Sequence, residues 1–496
     1  MYPDMNATFS NTSLSFVYII GLLYTLFLIY TTIRILLDTT KTSKTLAYLL
    51  LVLILPVLGI AFYYSFGINT RRGRSNKKIG ASYSQVSNEF ESHFKNETNR
   101  LIADHKEVLA QYSGFALFLK NLGDENLSLN DYQLLLNGEE KFPELLKILK
   151  NAEHYIHMEY YAWENDIRGN QIKDILLQKV KEGIKVKAIY DAYASRKIRY
   201  NIVAELQAGG VEIHPIIKVK LAGLANRLNH RDHRKIVIVD GKVGFVGGIN
   251  ISDRYDNSID TGLYWRDTHI KITGPGVMNL QRHFMVSWNA CQTKPLFLRE
   301  VLPQKELTEL KENKIGLAQI IAGGPIYNMS NIMLSYARLF TLVKKKLYIT
   351  NPYFIPNETI LDALTLAAKS GVDVRLLLPQ KSDSALVGAA AKYYFGELLQ
   401  AGVKVYLYKK GFVHAKTVVA DGIVSIVGTA NMDLRSFDLN FEIMSVIYSP
   451  DFAKELEDAF IADLKESVEI NCSEWMMQPK LNMLVYATAR LISSFL

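Results

Sequence analysis

The feature that most restricts what this chain can fold into is a duplication. His233, Lys235 and Asp240 stand in the pattern H-x-K-x4-D, and His414, Lys416 and Asp421 repeat it. With 10 histidines and ordinary Lys and Asp frequencies, one match is expected roughly 0.03 times. Both copies also carry an asparagine 17 residues after the histidine, Asn250 and Asn431. The flanks echo each other: EGIKVKAIYD answers SGVDVRLLLP, LQAGGVEI answers LQAGVKVY, and HRKIVIVDGKVGFVGG answers HAKTVVADGIVSIVGT. A repeat of this size means two similar domains, not a solenoid.

Within each copy, short apolar runs alternate with helical patterns. The first reads strand 157–161, helix 170–182, strand 186–190, helix 201–208, strand 211–215. The second reads strand 347–354, helix 358–369, strand 372–378, helix 389–400, strand 403–407. Alternation of this kind predicts an α/β fold, two α/β/α repeats with mixed sheets packed face to face, spanning 113–320 and 321–480.

Ahead of the repeats, no charged residue occurs between Asp4 and Arg34, nor between Lys44 and Arg71. A membrane span needs about 20 mainly apolar residues, which 14–33 and 45–66 both supply. Residues 1–70 are therefore expected to form a hairpin of two transmembrane helices, with Pro56 kinking the second. Arg71, Arg72, Arg74, Lys77 and Lys78 outnumber Arg34, Lys41 and Lys44 of the connecting loop, which leans towards a cytoplasmic C-terminal bulk in a cell membrane. Residues 71–112 read as a polar linker with some helix, and 481–496 as an apolar tail that touches either the bilayer or the soluble core. The net charge of +8 favours an anionic partner. Cys291 and Cys472 are too few for a disulfide framework or a cysteine zinc site.

The chemistry lies in the duplicated motif. Residues two apart on a strand face the same way, so each His projects with its Lys. A neutral imidazole can attack phosphorus, and a protonated one can release a leaving alcohol. Lys235 and Lys416 would neutralise phosphate oxygens, and Asn250 and Asn431 would add amide donors, so no metal or cofactor is needed. Asp240 and Asp421 each precede a glycine, a hairpin-turn signal; turn formation and direct catalysis are both open for them. His230, Asp232 and His233 lack regular metal spacing. Tyr160, Tyr161, Trp163, Tyr353 and Phe354 are expected in the core, and Gly323-Gly324 is too little for a phosphate loop.

Paired HxKxxxxD motifs trailed by G-x-x-N, Gly247 to Asn250 and Gly428 to Asn431, resemble the phospholipase D superfamily over about 115–464. The stretches LPVLGIAFYYSFG, WRDTHIKITG and GTANMDLRSFDLNFEI are similar to the bacterial cardiolipin synthase branch. This resemblance implies transfer of a phosphatidyl group from one phosphatidylglycerol to another through a phosphohistidine. His233 would be the nucleophile and His414 the acid and base. It also implies an orienting carboxylate behind each ring: Glu442 for His414 and Asp267 for His233, at spacings of 28 and 34 residues, with an insertion around 256–264. A longer loop before His233, KVKLAGLANRLNHRD, is expected to shape the acceptor pocket. The implied partners are membrane lipids and not nucleic acid. Other acceptors (serine, phosphatidylethanolamine, water), a phosphodiesterase or nuclease, and a non-catalytic binder are the rival readings.

Overall fold

A computed structural model describes residues 5–39, 42–64, 74–94, 97–123, 125–216, 230–291, 294–302 and 315–493. Most of the loop expected to shape the acceptor pocket, and Arg71 and Arg72 of the basic cluster, lie outside the described residues. The chain divides into a small unit holding the N-terminal helices and a large one holding everything described from Ser75 onward.

The small unit opens with a helix over Met5–Asp38. Its stretch Tyr18–Asp38 is long and apolar enough to cross a membrane. Leu22 and Leu26 are 61% and 54% exposed, as befits a helix whose sides are meant for lipid rather than a protein core. The second apolar run differs from expectation. It divides into helices Thr42–Ile54 and Pro56–Phe62, because Pro56 offers no N–H to continue the first and its ring crowds the preceding turn. Thirteen residues rise only about 20 Å, short of a bilayer's ~30 Å core. Among the described residues one helix, not two, has the length to span. The bend is packed: Gly59 sits where a Cβ would lie 2.5 Å from the Leu51 carbonyl oxygen, and Tyr48, Val52, Ile60 and Tyr63 are buried around it.

The large unit is built on a sheet of fifteen strands. In the first half the order from the outer edge is Glu212–Pro215, Lys185–Tyr190, Tyr155–Tyr160, Lys235–Val239, Val243–Gly247, Thr268–Thr273 and Ser128–Leu136. The second half repeats it as Lys404–Tyr408, Asp373–Pro379, Lys346–Thr350, Thr417–Ala420, Val424–Gly428, Glu442–Tyr448 and Ile315–Gly323, with Ser467–Glu469 added outside. The first three strands of each half are mutually parallel and the rest antiparallel. The halves meet where Ser128–Leu136 pairs antiparallel with Ile315–Gly323, so the repeat is arranged about a pseudo-twofold through that pair. The strand of the second half that makes this pair begins at Ile315.

The β-branched strands Lys235–Val239 (KIVIV) and Thr417–Ala420 (TVVA) are buried at every position, because the sheet is covered on both faces and no alternation is required. The segment expected as a linker is mostly helix, Arg74–His93 and then Thr98–Asp104. Its Ile79, Val86 and Phe90 are core residues, and Ser82 Oγ donates to the Val286 carbonyl at 2.9 Å. The tail forms helix Lys480–Ser493. One face packs inward through Tyr486 on Trp475 and Arg490 over Tyr393, while Leu481, Leu484 and Leu491 remain exposed.

Candidate active site

Each histidine is placed by a strand end and held by the opposite half. Phe412–Val413 pairs in parallel with Trp265–Arg266, and the His414 N–H donates to the Arg266 carbonyl at 2.7 Å. Symmetrically, Asp232 bridges to Phe441, and the His233 N–H donates to the Phe441 carbonyl at 2.9 Å. Each ring is thereby carried to the carboxylate of the other half. His233 Nδ1 lies 2.9 Å from Glu442 Oε2, and His414 Nδ1 lies 2.7 Å from Asp267 Oδ2. This corrects the expected assignment, which paired each histidine with the carboxylate of its own repeat. Tying Nδ1 to a carboxylate leaves Nε2 as the nitrogen available for phosphorus.

The two carboxylates are supported differently. Glu442 Oε2 accepts from Thr429 Oγ1 at 2.5 Å. The position matching Thr429 is Gly248, where a Cβ would lie 2.1 Å from Asp267 Oδ1, so the glycine gives room for the shorter carboxylate. Burial opposes the charge on Glu442, but His233, Lys235 and Thr429 outweigh it and hold the carboxyl below its usual range.

Lys235 and Lys416 fold back onto the histidine carbonyls, their Nζ atoms 2.6 Å from His233 O and 2.5 Å from His414 O. Lys416 Nζ is also 2.9 Å from His414 Nδ1. Both are buried, and loss of water lowers Lys235 to about 7 and Lys416 to about 8. Each lysine feels Glu442 and Asp267, so the charges of both halves share one neighbourhood. Burial also lowers both histidines, His414 to about 3 with the Lys416 charge adding to the effect. Both imidazoles are therefore neutral at pH 7, and an arriving phosphodiester anion offsets the cations that keep them so.

The asparagines differ. Asn250 donates through Nδ2 to Tyr255 Oη at 2.6 Å and accepts at Oδ1 from the Ala162 N–H at 3.1 Å, so part of its amide is spent bracing the site wall. Asn431 Oδ1 is buried without a hydrogen bond to protein, leaving that amide uncommitted at one end.

Asp240 and Asp421 take the turn reading. Each sits at positive φ, 54° and 53°, before a glycine at 67° and 68°, the geometry of a tight hairpin. Asp240 accepts from the N–H groups of Glu153, His154 and Tyr155 at 2.8–2.9 Å. Asp421 accepts from those of Lys344, Lys345 and Lys346 at 2.7–3.0 Å and from Tyr112 Oη at 2.8 Å. Seven residues of extended chain put each roughly 20 Å from its histidine, too far to touch the reacting phosphate.

Aromatic rings wall the site. Tyr161 packs on His233 at 4.8 Å between centroids, and Trp265, Tyr255, Phe412 and Tyr353 surround His414 at 5.5–6.4 Å. Tyr160, Trp163 and Phe354 are core, as expected; Tyr161 and Tyr353, expected there too, line the histidines instead. In the inserted segment, Asp256 pairs with Arg168 and Asn257 bonds the Trp265 backbone on both sides at 2.7 and 3.0 Å, fixing that wall. His230 Nδ1 is turned to the Leu439 carbonyl, and among the described residues no group of three or more His, Cys, Asp or Glu is placed to hold a metal ion.

Duplicated α/β halves that pool two His-Lys pairs into one buried cationic site define a two-domain phospholipase D-like protein. A family model described as "Cardiolipin synthase, PLD-like domain" matches twice, at 145–272 and 336–464, and a phospholipase D-nuclease N-terminal model matches 26–67. A cardiolipin synthase of Alkalihalophilus pseudofirmus is 38% identical over 480 residues, 96% of this chain and 94% of that one. Cardiolipin synthase 2 of Bacillus anthracis is 40% identical over 465 residues, covering 93% and 88%. The crystal structure of a phosphatidylserine synthase from Haemophilus influenzae shares the fold, with a TM-score of 0.58, 17% identity, and coverage of 76% of this chain and 98% of that one. The chain belongs to the cardiolipin synthase family. Its apolar N-terminal helix fits association with a membrane.

Proposed function

We propose that the protein is a phosphatidyltransferase that joins two phosphatidylglycerol molecules into cardiolipin and releases glycerol. The observation that carries this reading is the crossed pair of histidine–carboxylate couples in one buried site. His233 Nε2 attacks the phosphorus of the first lipid while His414, which takes up a proton from solvent once the bound phosphodiester anion offsets the lysine charges, gives that proton to the departing glycerol oxygen. His414 then takes the proton from a hydroxyl of a second phosphatidylglycerol, which attacks the phosphohistidine and frees His233. Lys235 and Lys416 hold the phosphate oxygens, and Asn250 and Asn431 offer amide donors to the five-coordinate transition state. Glu442 and Asp267 orient the rings.

The catalytic unit is cytoplasmic in this reading, and the helix Tyr18–Asp38 anchors the chain in the membrane. Relatives named cardiolipin synthase over nearly the whole chain support the acceptor assignment. The test is purified protein with vesicles of phosphatidylglycerol alone. Cardiolipin and glycerol in equal amounts are expected, unchanged by EDTA. Phosphatidic acid alone would make the protein a hydrolase.

A further inference from the structure

His269, in the stretch WRDTHIKITG, plays no part in the chemistry above, yet it is fully buried beside the site. It lies two residues after Asp267, inside the strand Thr268–Thr273 that Asp267 immediately precedes. A helix over Asn137–Lys150 covers that strand end. Asn137 clasps the Asp267 backbone from both sides, its N–H donating to the Asp267 carbonyl and its Oδ1 accepting from the Asp267 N–H, each at 2.9 Å. Lys141 is one turn further along, on the same helix face.

Lys141 is fully buried, its Nζ 4.2 Å from the Phe142 ring centroid and 5.2 Å from that of Tyr160. Neither Lys141 Nζ nor His269 Nε2 makes a hydrogen bond within the protein. Burial lowers Lys141 to about 7 against the pull of the Asp267 carboxylate, and burial together with the Lys141 charge lowers His269. A buried ammonium with no hydrogen-bonded counter-ion is costly, so the fold has no use for it as packing.

The other half shows what packing alone would choose. Counting back 14 residues from the paired strand starts, Tyr155 and Lys346, the residue matching Lys141 is Ile332. His269 stands opposite Gly247, and Met444 stands opposite the matching Gly428. Ile332 and Met444 are fully buried. Behind Glu442 the chain therefore places an isoleucine and a methionine, and behind Asp267 a lysine and a histidine.

We propose that Lys141, seated with His269 beside Asp267, is a positioning residue that makes the two histidine–carboxylate couples unequal and assigns His414 the proton-donating role. Its charge draws on the Asp267 carboxylate and weakens that group's hold on a protonated His414, which then releases its proton to glycerol more readily. His233, whose Glu442 has apolar residues behind it, keeps more of its basicity and serves as nucleophile. The groups facing Lys141 are Asp267 and His269 from the strand, Tyr160 from its neighbour and Arg168 across the Phe142 ring. This inference rests on the phosphohistidine reading.

The test is Lys141→Met, whose side chain keeps length without charge. Removing a neighbouring cation raises the His414 value, so the limb of the kcat–pH profile that reports His414 moves to higher pH by about one unit. KM stays within twofold, and thermal stability holds or rises. The same shift is expected in the titration of the His414 ring, followed by nitrogen NMR in detergent-solubilised protein without substrate. A ring shift in protein that makes no cardiolipin would fault the reading of function and leave the inference standing. If Lys141→Met does not fold, Lys141→Gln, which removes the charge but keeps a polar head, carries the same direction. Unchanged profiles and ring titrations in these variants overturn the proposal.

Discussion

The two halves share an order of strands, a histidine, a lysine and a turn aspartate, but they differ in the groups behind their chemistry. Glu442 reaches His233 with help from the Thr429 hydroxyl. Asp267 reaches His414 over a glycine, with a buried lysine and histidine beside it. Duplication alone would give two equal imidazoles, whereas a displacement through a phosphohistidine needs one to attack and one to deliver a proton. In the proposed reaction the halves match in the lysines set for the phosphate and differ in the groups set behind the histidines. Because each carboxylate serves the histidine of the opposite half, neither half can act alone.

The comparison breaks most sharply at the histidines. His233→Ala and His414→Ala should each lower kcat by at least about 1,000-fold in the vesicle assay, since both are required in every turnover. Normal activity in either variant would separate the halves again. Glu442→Gln and Asp267→Asn should each cost about 100-fold or more in kcat, with KM little changed, because the ring loses orientation rather than the lipid its contacts. Smallest for catalysis is Asp421→Asn. Burial would raise this carboxyl, but the N–H groups of Lys344, Lys346 and Lys345 and the Tyr112 hydroxyl hold it below its ordinary value. Its contribution to stability is then present above an unfolded value of about 3.9 and lost as pH falls through the lower folded value. The variant should unfold about 1–3 kcal/mol more easily at pH 7, judged from the charge-assisted bonds it loses. It should lose less stability than the native chain as pH falls below about 4, and keep kcat within twofold while folded.

Much of this was legible from the chain. The His, Lys and Asn positions follow from a motif that occurs twice, and the parallel strands and helices of each half fall within a few residues of their expected places because apolar periodicity is local. The crossed pairing was not legible. It depends on bridges of one or two residues, Asp232 to Phe441 and Phe412–Val413 to Trp265–Arg266, and spacing inside one repeat says nothing about which half a strand end will meet. Strand Ser128–Leu136 escaped notice because its SLNDYQLLL mixes Asn130, Asp131 and Gln133 with the leucines; it is a strand because both its edges are paired. Helix Arg74–His93 was hidden by charge, although Ile79, Val86 and Phe90 recur at seven and four residues and form its buried stripe.

Calorimetric titration with tungstate, a phosphate mimic, counts the sites directly. One equivalent should bind per chain. His233→Ala and His414→Ala should each abolish binding, and affinity should fall from pH 6.5 to 9 as Lys235 and Lys416 lose their protons near 7 and 8. Two equivalents per chain, or full binding that survives loss of either imidazole, would contradict a shared site.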